Sequence, residues 1–429
     1  MRDVSIEQPA AFRPRVITDV LRPSSVGEVV DVVRSGRSLH PFSKGHNWGL
    51  GSGLPVHDGA VVLDLSGLDR VRALDVDRGY AVIEPGVTQG ALAESLRGKP
   101  RIFNLTTSSM HTSVIGNALE RGFGVHRSRT EDLVGLEVVL ADGTVEHVGW
   151  WPGTSATPRP HGLGPSLTHL FTQSAFGVVT AAVVRLLPRP EEVRVLPFTF
   201  AGDDLADAVD ALREWTAQRL IPPTTKLYNP VAAQFDGYLA HVCLSGAGEV
   251  VEALSSVLRG AAADSPLVEG PAVDAAVLGT YAGDPDPADT WFVRRTRGCP
   301  ADRLDAEVGM LMFLPVVPFS GAALAVTEKL IRDCCATTPA VTVNVHDFDT
   351  VDHVIALAFP AHDAGAVTEA RAALGRMREA FAAQGFPAHR LDVDRPGEPT
   401  GLQARIGLAL DPDGVFAPSR YSAGRYSAG

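Results

Sequence analysis

Residues Leu133–Gly149, "LVGLEVVLADGTVEHVG", constrain the fold more than any other stretch of this chain. Two β-type runs flank Ala141-Asp142-Gly143, a turn signal that suits two antiparallel neighbours and not a crossover. An antiparallel sheet is therefore expected within the first half. Around the hairpin, "GAVVLDLS" and "GYAVIEPG" read as strands ended by turn residues, and "GVVTAAVVRLLPRP" as a long β-branched strand stopped by prolines. "EVVDVVRS" after "RPSS" and "QGALAESLRG" have helical spacing with plausible ends.

The pattern changes after Pro190. "VRVLPFTF", "YLAHVCLSG", "MLMFLPVV", "AVTVNVHDF" and "HVIALAFP" alternate with amphipathic helical stretches at "DLADAVDALREWTAQRL", Glu249–Ala263, "AALAVTEKLIRDCCA" and Ala364–Gln384. That order predicts an antiparallel sheet covered by helices, with residues 265 to 305 as long loops. The chain of 429 residues divides accordingly into 1–190, 191–385 and a C-terminal segment 386–429. The fold class is α+β. The tail ends in a doubled "RYSAG", to which no weight is given.

Composition narrows the function classes. A net charge of -12 argues against nucleic acid or an anionic membrane as partner. Cys243, Cys299, Cys334 and Cys335 contain no CxxC pair, so buried thiols are expected before a zinc site or a disulfide framework. His346, Asp347 and His353 invite a metal, but opposite strand parity and the lack of a third strong ligand leave no metal site expected. The N-terminus lacks the apolar segment of a signal peptide, and no run is long enough to span a bilayer, so the cytoplasm is the expected location.

Three glycine-bearing turns carry the chemistry. "PFSKGHNWGLGSG" (Pro41–Gly53) is neither a Walker A loop nor a GxGxxG fingerprint, yet its amides suit an anion. "SSMHTSVIGNALERGFG" and "LFTQSAFGVVT" supply two more turns. Together they fit an extended ligand with a pyrophosphate at its middle. Candidate ligand-binding residues are Ser43, Lys44, Gly45, His46, Asn47 and Gly49, then Gly116, Asn117, Gly122 and Gly124, then Gly177 and Val179.

These motifs, with "LVGLEVVLADG" and "ALDPDGVFAPSRY", occur in the order of the vanillyl-alcohol oxidase superfamily, which the chain resembles over residues 20–190 and 402–421. The likeness is strongest to the branch of vanillyl-alcohol oxidase, eugenol oxidase and 4-cresol dehydrogenase. It implies a two-subdomain PCMH-type FAD-binding domain under a cap, with FAD as cofactor. His46 resembles the histidine that other branches bond to the flavin 8α carbon, so covalent FAD through His46 is expected. A neutral imidazole nitrogen is a nucleophile suited to that position. The cap-domain tether of the phenol oxidases falls on Met310, which cannot make the bond, and no cysteine precedes residue 243.

The same resemblance puts Gln89 and His389 where phenol-binding tyrosines stand in relatives, and Arg390 at the arginine. Arg390 would clamp an anion and His389 would accept a proton. The acid that relatives carry near the flavin N5 is missing or displaced, with Glu131 and Asp132 as the candidates in a loop shorter than the family pattern, so a simple 4-alkylphenol is not the expected substrate. Tyr228, Tyr281 and Trp291 are candidate cap-pocket residues, and His161 stands where relatives carry an aromatic residue. The implied activity is an FAD-dependent oxidase or dehydrogenase removing hydride from a C–H next to oxygen or nitrogen. Its substrate would be a small cyclic or aromatic molecule, with dioxygen or another acceptor re-oxidising the flavin. Loss of both phenol-binding tyrosines leaves room for an FAD-containing cyclase or a non-redox flavoprotein, or for a binding protein on a degenerate flavin fold.

Overall fold

In the computed structural model, which describes residues 11–160, 164–222, 224–398 and 401–421, three larger sheets organise the chain, beside a two-stranded pair of Arg101–Ile102 with Leu187–Pro188. The first is parallel and three-stranded, with Val61–Asp64 between Asp19–Leu21 and Leu39–Phe42. Helix Val26–Arg34 supplies the crossover. Ser25 caps it by accepting from the Glu28 amide, and Val29 and Val33 bury its inner face. Leu39 also bonds in both directions to Val415 and Ala417, so the C-terminal segment returns to this sheet.

The second sheet is antiparallel and five-stranded, in the order Val71–Asp75, Tyr80–Ile83, Val178–Arg185, Leu133–Val139, Val145–Gly149. The expected hairpin forms its edge, with Val139 opposite Val145 and Gly135 opposite Gly149. Leu133–Val139 is buried throughout, while Val145–Gly149 is largely exposed, as an edge strand with charged residues should be.

The third sheet has eight strands, all between residues 192 and 360, paired antiparallel. Helices Leu205–Ala217, Gly248–Ala262, Gly321–Cys334 and Ala364–Ala383 cover one face, burying Trp215, Leu258, Ile331 and Phe381 against Leu227, Val343, Ile355, Leu311 and Phe313. Side chains alternate along a strand. The neighbours of those apolar residues, Lys226, Asn344, Val354 and Met312, therefore point to the other face, toward the two smaller sheets. This parity sets the chemistry described below.

Two expectations are corrected. Residues 265 to 305 are not simply loops: Ala275–Ala282 starts on an Asp274 cap, and Thr290–Arg295 follows it. Their proline- and acid-rich flanks hide helices of eight and six residues, too short for periodicity to register. The strand Lys226–Tyr228 also escaped notice, because three residues between prolines carry no alternation. The four cysteines are free thiols, three of them buried. Among the described residues, no helix is long and apolar enough to cross a membrane. His161 and the doubled tail lie outside the described residues.

Candidate functional site

One cavity of about 280 Å³ runs between the small sheets and the bare face of the large sheet. Its near wall comes from all three glycine turns. Ser43, Lys44, Gly45, His46 and Asn47 line it, as do Gly116, Asn117, Gly177 and Val179. The chain can turn at Gly45 because that residue takes a left-handed φ of 69°. At Gly116 the reason is closeness: a Cβ there would stand 2.3 Å from the Ser43 hydroxyl.

Three predicted glycines stand behind this wall. Gly49 packs against the large sheet, where a Cβ would meet Met312 at 2.3 Å. Gly122 leaves room for the Asn117 side chain, and Gly124 for that of Asn104. They shape the site through their neighbours. Replacing Gly122 with alanine would put a methyl 1.9 Å from Asn117 Oδ1 and push that amide out of place. We expect Gly122→Ala to weaken retention of the bound ligand about tenfold, the loss of one buried hydrogen bond, as read by ultrafiltration.

The wall is unsatisfied in a way that fits a polar ligand. Ser52 Oγ, Asn117 Oδ1 and Ser174 Oγ are buried on it with no hydrogen-bond partner among the described residues. Buried polar atoms are rarely left so without a bound group or water to meet them. A second polar stretch, unrecognised in the sequence, contributes Thr106, Thr107, Ser108 and Thr112. The hydroxyl-rich "NLTTSSMHTS" was its only signal.

Gln89 does not face the cavity. It is fully buried and braces this stretch, accepting from the Thr106 amide at 2.8 Å and donating to Ser109 O at 3.0 Å. Asp289 braces it from the other side through Ser109 Oγ and the Met110 amide. His389 is also off the wall. Its Nε2 meets Arg121 O at 3.0 Å, and its carbonyl accepts from Gln173 Nε2 at 3.1 Å. Burial and the adjacent Arg390 charge lower its pKa to about 4, so it is neutral near pH 7. The structure thus gives Gln89 and His389 positions that hold cavity residues in place rather than contact with a ligand.

Arg390 does reach the cavity. Its Nε is buried with no hydrogen-bond partner among the described residues. Glu120, the nearest acid acting on it, is already engaged by Arg420 and by the Tyr421 hydroxyl at 2.8 Å. His46 sits on the same wall with its pKa lowered to about 4 by burial, then by the charges of Lys44 and His111. The imidazole is therefore neutral, as a nucleophile must be.

Other expected residues lie elsewhere. Asp132 is buried in an ion pair with Arg127 and accepts from Asn104 Nδ2 at 2.8 Å. Glu131 borders a side cavity instead. Tyr228 stacks on Trp291 with ring centroids 4.8 Å apart, and Tyr281 is buried beside them, all three in the core behind the wall. The next residue, Phe292, lines the cavity instead. Met310 is buried and off the wall, while Met312, two residues along the same strand, reaches it. His346 Nε2 is 3.6 Å from Asp352, and His353 meets the Thr327 hydroxyl at 3.1 Å. Among the described residues, no three His, Cys, Asp or Glu side chains group as metal ligands.

Sequence reasoning missed the far wall. Lys226, 2% exposed, and Arg295 both line the cavity, with Asn344, Phe292, Met312 and Val354 around them. A lysine within a three-residue strand and an arginine ending a six-residue helix gave no pattern to read.

Comparison with known proteins places this cavity. Residues 18–149 match the model of an FAD binding domain. The chain is 28% identical to the 1'-carboxy-chondrochloren decarboxylase of Chondromyces crocatus, over 94% of this chain and 90% of that one. It is 30% identical to the 4-cresol dehydrogenase flavoprotein subunit of Pseudomonas putida over 50% of this chain, a match spanning 43% of that protein. Two solved structures share the fold over nearly the whole chain. Substrate-bound p-cresol methylhydroxylase has a TM-score of 0.84 at 22% identity, covering 96% of this chain and 90% of its own. The 4-ethylphenol oxidase of Gulosibacter chungangensis gives 0.82 at 22% identity, covering 97% and 91%.

Proposed function

We propose a reaction for a chain that is an FAD-dependent oxidoreductase with the p-cresol methylhydroxylase fold: removal of hydride from a C–H next to oxygen or nitrogen on a small cyclic or aromatic molecule. The observation that carries this reading is the continuity of the cavity. Its glycine-turn wall offers orphaned polar atoms to a dinucleotide, and its far wall offers apolar and cationic side chains to a second molecule. Bound FAD supplies the two-electron acceptor.

The protein's own residues then divide the work. Ser52, Asn117 and Ser174 hydrogen-bond the cofactor, with Ser43 to Asn47 wrapped around it. His46 forms the covalent link to the flavin ring. Arg390 holds negative charge on the substrate or the ring, and a fixed guanidinium in a dry site does this without reorganising. Phe292, Met312, Leu314 and Val354 exclude water and hold the apolar body. In this reading residues 1–190, rejoined by 386–429, hold the flavin, and 191–385 cover it.

A second reading, oxidation accompanied by loss of carbon dioxide, draws support from the decarboxylase named above, a relative similar over nearly the full length of both chains. A non-redox or cyclising flavoprotein is the alternative outcome. Anaerobic mixing with a panel of aryl alcohols, amines and acids separates the three. Stoichiometric bleaching of the flavin supports oxidation, and bleaching with equal release of carbon dioxide supports the second reading. Product formed without bleaching contradicts both.

A further inference from the structure

The far wall holds an arrangement that the proposed oxidation does not by itself require. We propose that Lys226 and Arg295 form a binding site for a carboxylate carried by the substrate, opposite the glycine-turn wall. The inference rests on the reading that substrate and FAD share the cavity, and deepens it by naming the substrate's chemical class.

Like charges stand close there, and the one buried acid that acts on both, Asp352, forms an ion pair with neither among the described residues. Lys226 is 2% exposed, and its Nζ donates to Asn344 Oδ1 at 2.5 Å. Arg295 makes a single hydrogen bond among the described residues, from Nη2 to Thr342 Oγ1 at 3.4 Å. Neither forms an ion pair among the described residues. Each keeps donor capacity, since an ammonium has three donors and a guanidinium five. Glu120, the one acid on the cavity wall, is taken by Arg420. Asp352 acts on both cations from the strand position opposite Asn344 and is itself 3.6 Å from His346.

A buried lysine and a half-buried arginine facing one cavity are costly unless something negative meets them. A carboxylate offers two coplanar oxygens, which suit an arginine fork on one side and an ammonium on the other. The surroundings exclude a strongly polar ligand body, because Phe292, Met312 and Val354 flank the pair. The ligand class is therefore a carboxylic acid with an aromatic or other apolar body. The protein carries -12 overall, so this local excess of positive charge is not a general property of its surface.

Affinity should depend on pH in a stated direction. Burial lowers Lys226 to about 8, the Asp352 charge opposing it and the Arg295 charge adding a smaller downward push. The groups facing Lys226 from neighbouring elements are Arg295, Asp352 and His241, and burial keeps His241 neutral near pH 7 with its pKa at about 4. An anion favours the ammonium, so binding takes up a proton above pH 8. Affinity should fall as pH rises through that value, by up to about tenfold per unit.

The test uses the FAD-loaded protein and phenylacetate, with phenylacetamide as its uncharged counterpart, read by perturbation of the flavin absorbance. Phenylacetate is expected to bind at least about tenfold tighter at pH 7 and to lose that advantage above pH 8. Lys226→Met and Arg295→Lys, each checked for unchanged FAD content, should remove most of the preference. The second variant keeps the charge and loses the fork, so it guards against a folding defect in the first. Equal binding of acid and amide, no binding of either, or full preference in both variants would overturn the proposal. So would variants that shift the flavin potential but leave phenylacetate affinity alone, since the pair would then serve the cofactor. Because binding is read without turnover, these outcomes stand apart from a failure of the oxidation reading, which would show as a flavin that no donor reduces.

Discussion

Arg390→Lys should lower turnover with the reducing substrate by roughly 10- to 100-fold while the FAD content stays unchanged. The substitution keeps the positive charge and removes the planar fork. The cost follows from a charge-assisted contact worth about 1.5–3 kcal/mol that a lysine meets in only one direction. Among the described residues Arg390 Nε is buried without a hydrogen-bond partner, and Glu120, the acid acting on it most, is held by Arg420 and Tyr421, so no described neighbour replaces the missing contact. His389 should behave differently. It anchors the segment through Arg121 O and Gln173. His389→Gln retains a side-chain amide for the Arg121 carbonyl and should cost far less than Arg390→Lys. Rapid-reaction measurement of flavin reduction in both variants checks the contrast. Equal losses in the two would mean that Arg390 acts only through the shape of its loop.

His46→Ala should convert tightly retained flavin to flavin that leaves on acid denaturation. The parent protein should keep its flavin colour in the acid-precipitated pellet, and the variant should lose essentially all of it to the supernatant. Folding should survive, because one partly exposed imidazole removes little buried apolar surface. The physical basis is a neutral ring on the cavity wall, held so by burial and by the charges of Lys44 and His111. Met310 and Met312 occupy the strand Val308–Phe313, and the first cysteine is Cys243, behind the wall in the core. Parent protein that releases its flavin completely would return His46 to an ordinary hydrogen-bonding role.

Much of the fold was legible because it rests on local signals. The turn at Ala141-Asp142-Gly143, the β-branched run before Pro188 and the change of period after Pro190 each depend on neighbours in sequence. The near wall was legible for a related reason: a backbone that approaches a ligand closely needs glycine, and glycine is visible. Even there, sequence did not separate Gly116, which lines the cavity, from Gly122, which makes room for Asn117. Both tolerate no Cβ, and only the three-dimensional neighbours tell them apart.

The far wall was not legible. Lys226, Asn344 and Val354 meet there because three strands pair at a fixed register and share a face. That register joins residues more than a hundred positions apart, and nothing local encodes it. Gln89 illustrates the opposite error. Placement by motif put it in the substrate site, while the helix Gln89–Ser95 turns its side chain inward to brace residues 106 to 109.

The central claim is that this cavity holds FAD. It is tested most directly by identifying the flavin in the protein as purified, from its visible spectrum and from the mass of the cofactor or cofactor–peptide after digestion. The account predicts one FAD per chain, with its mass carried by the peptide containing His46. FMN in its place, or a colourless protein that takes up no FAD on reconstitution, would contradict it.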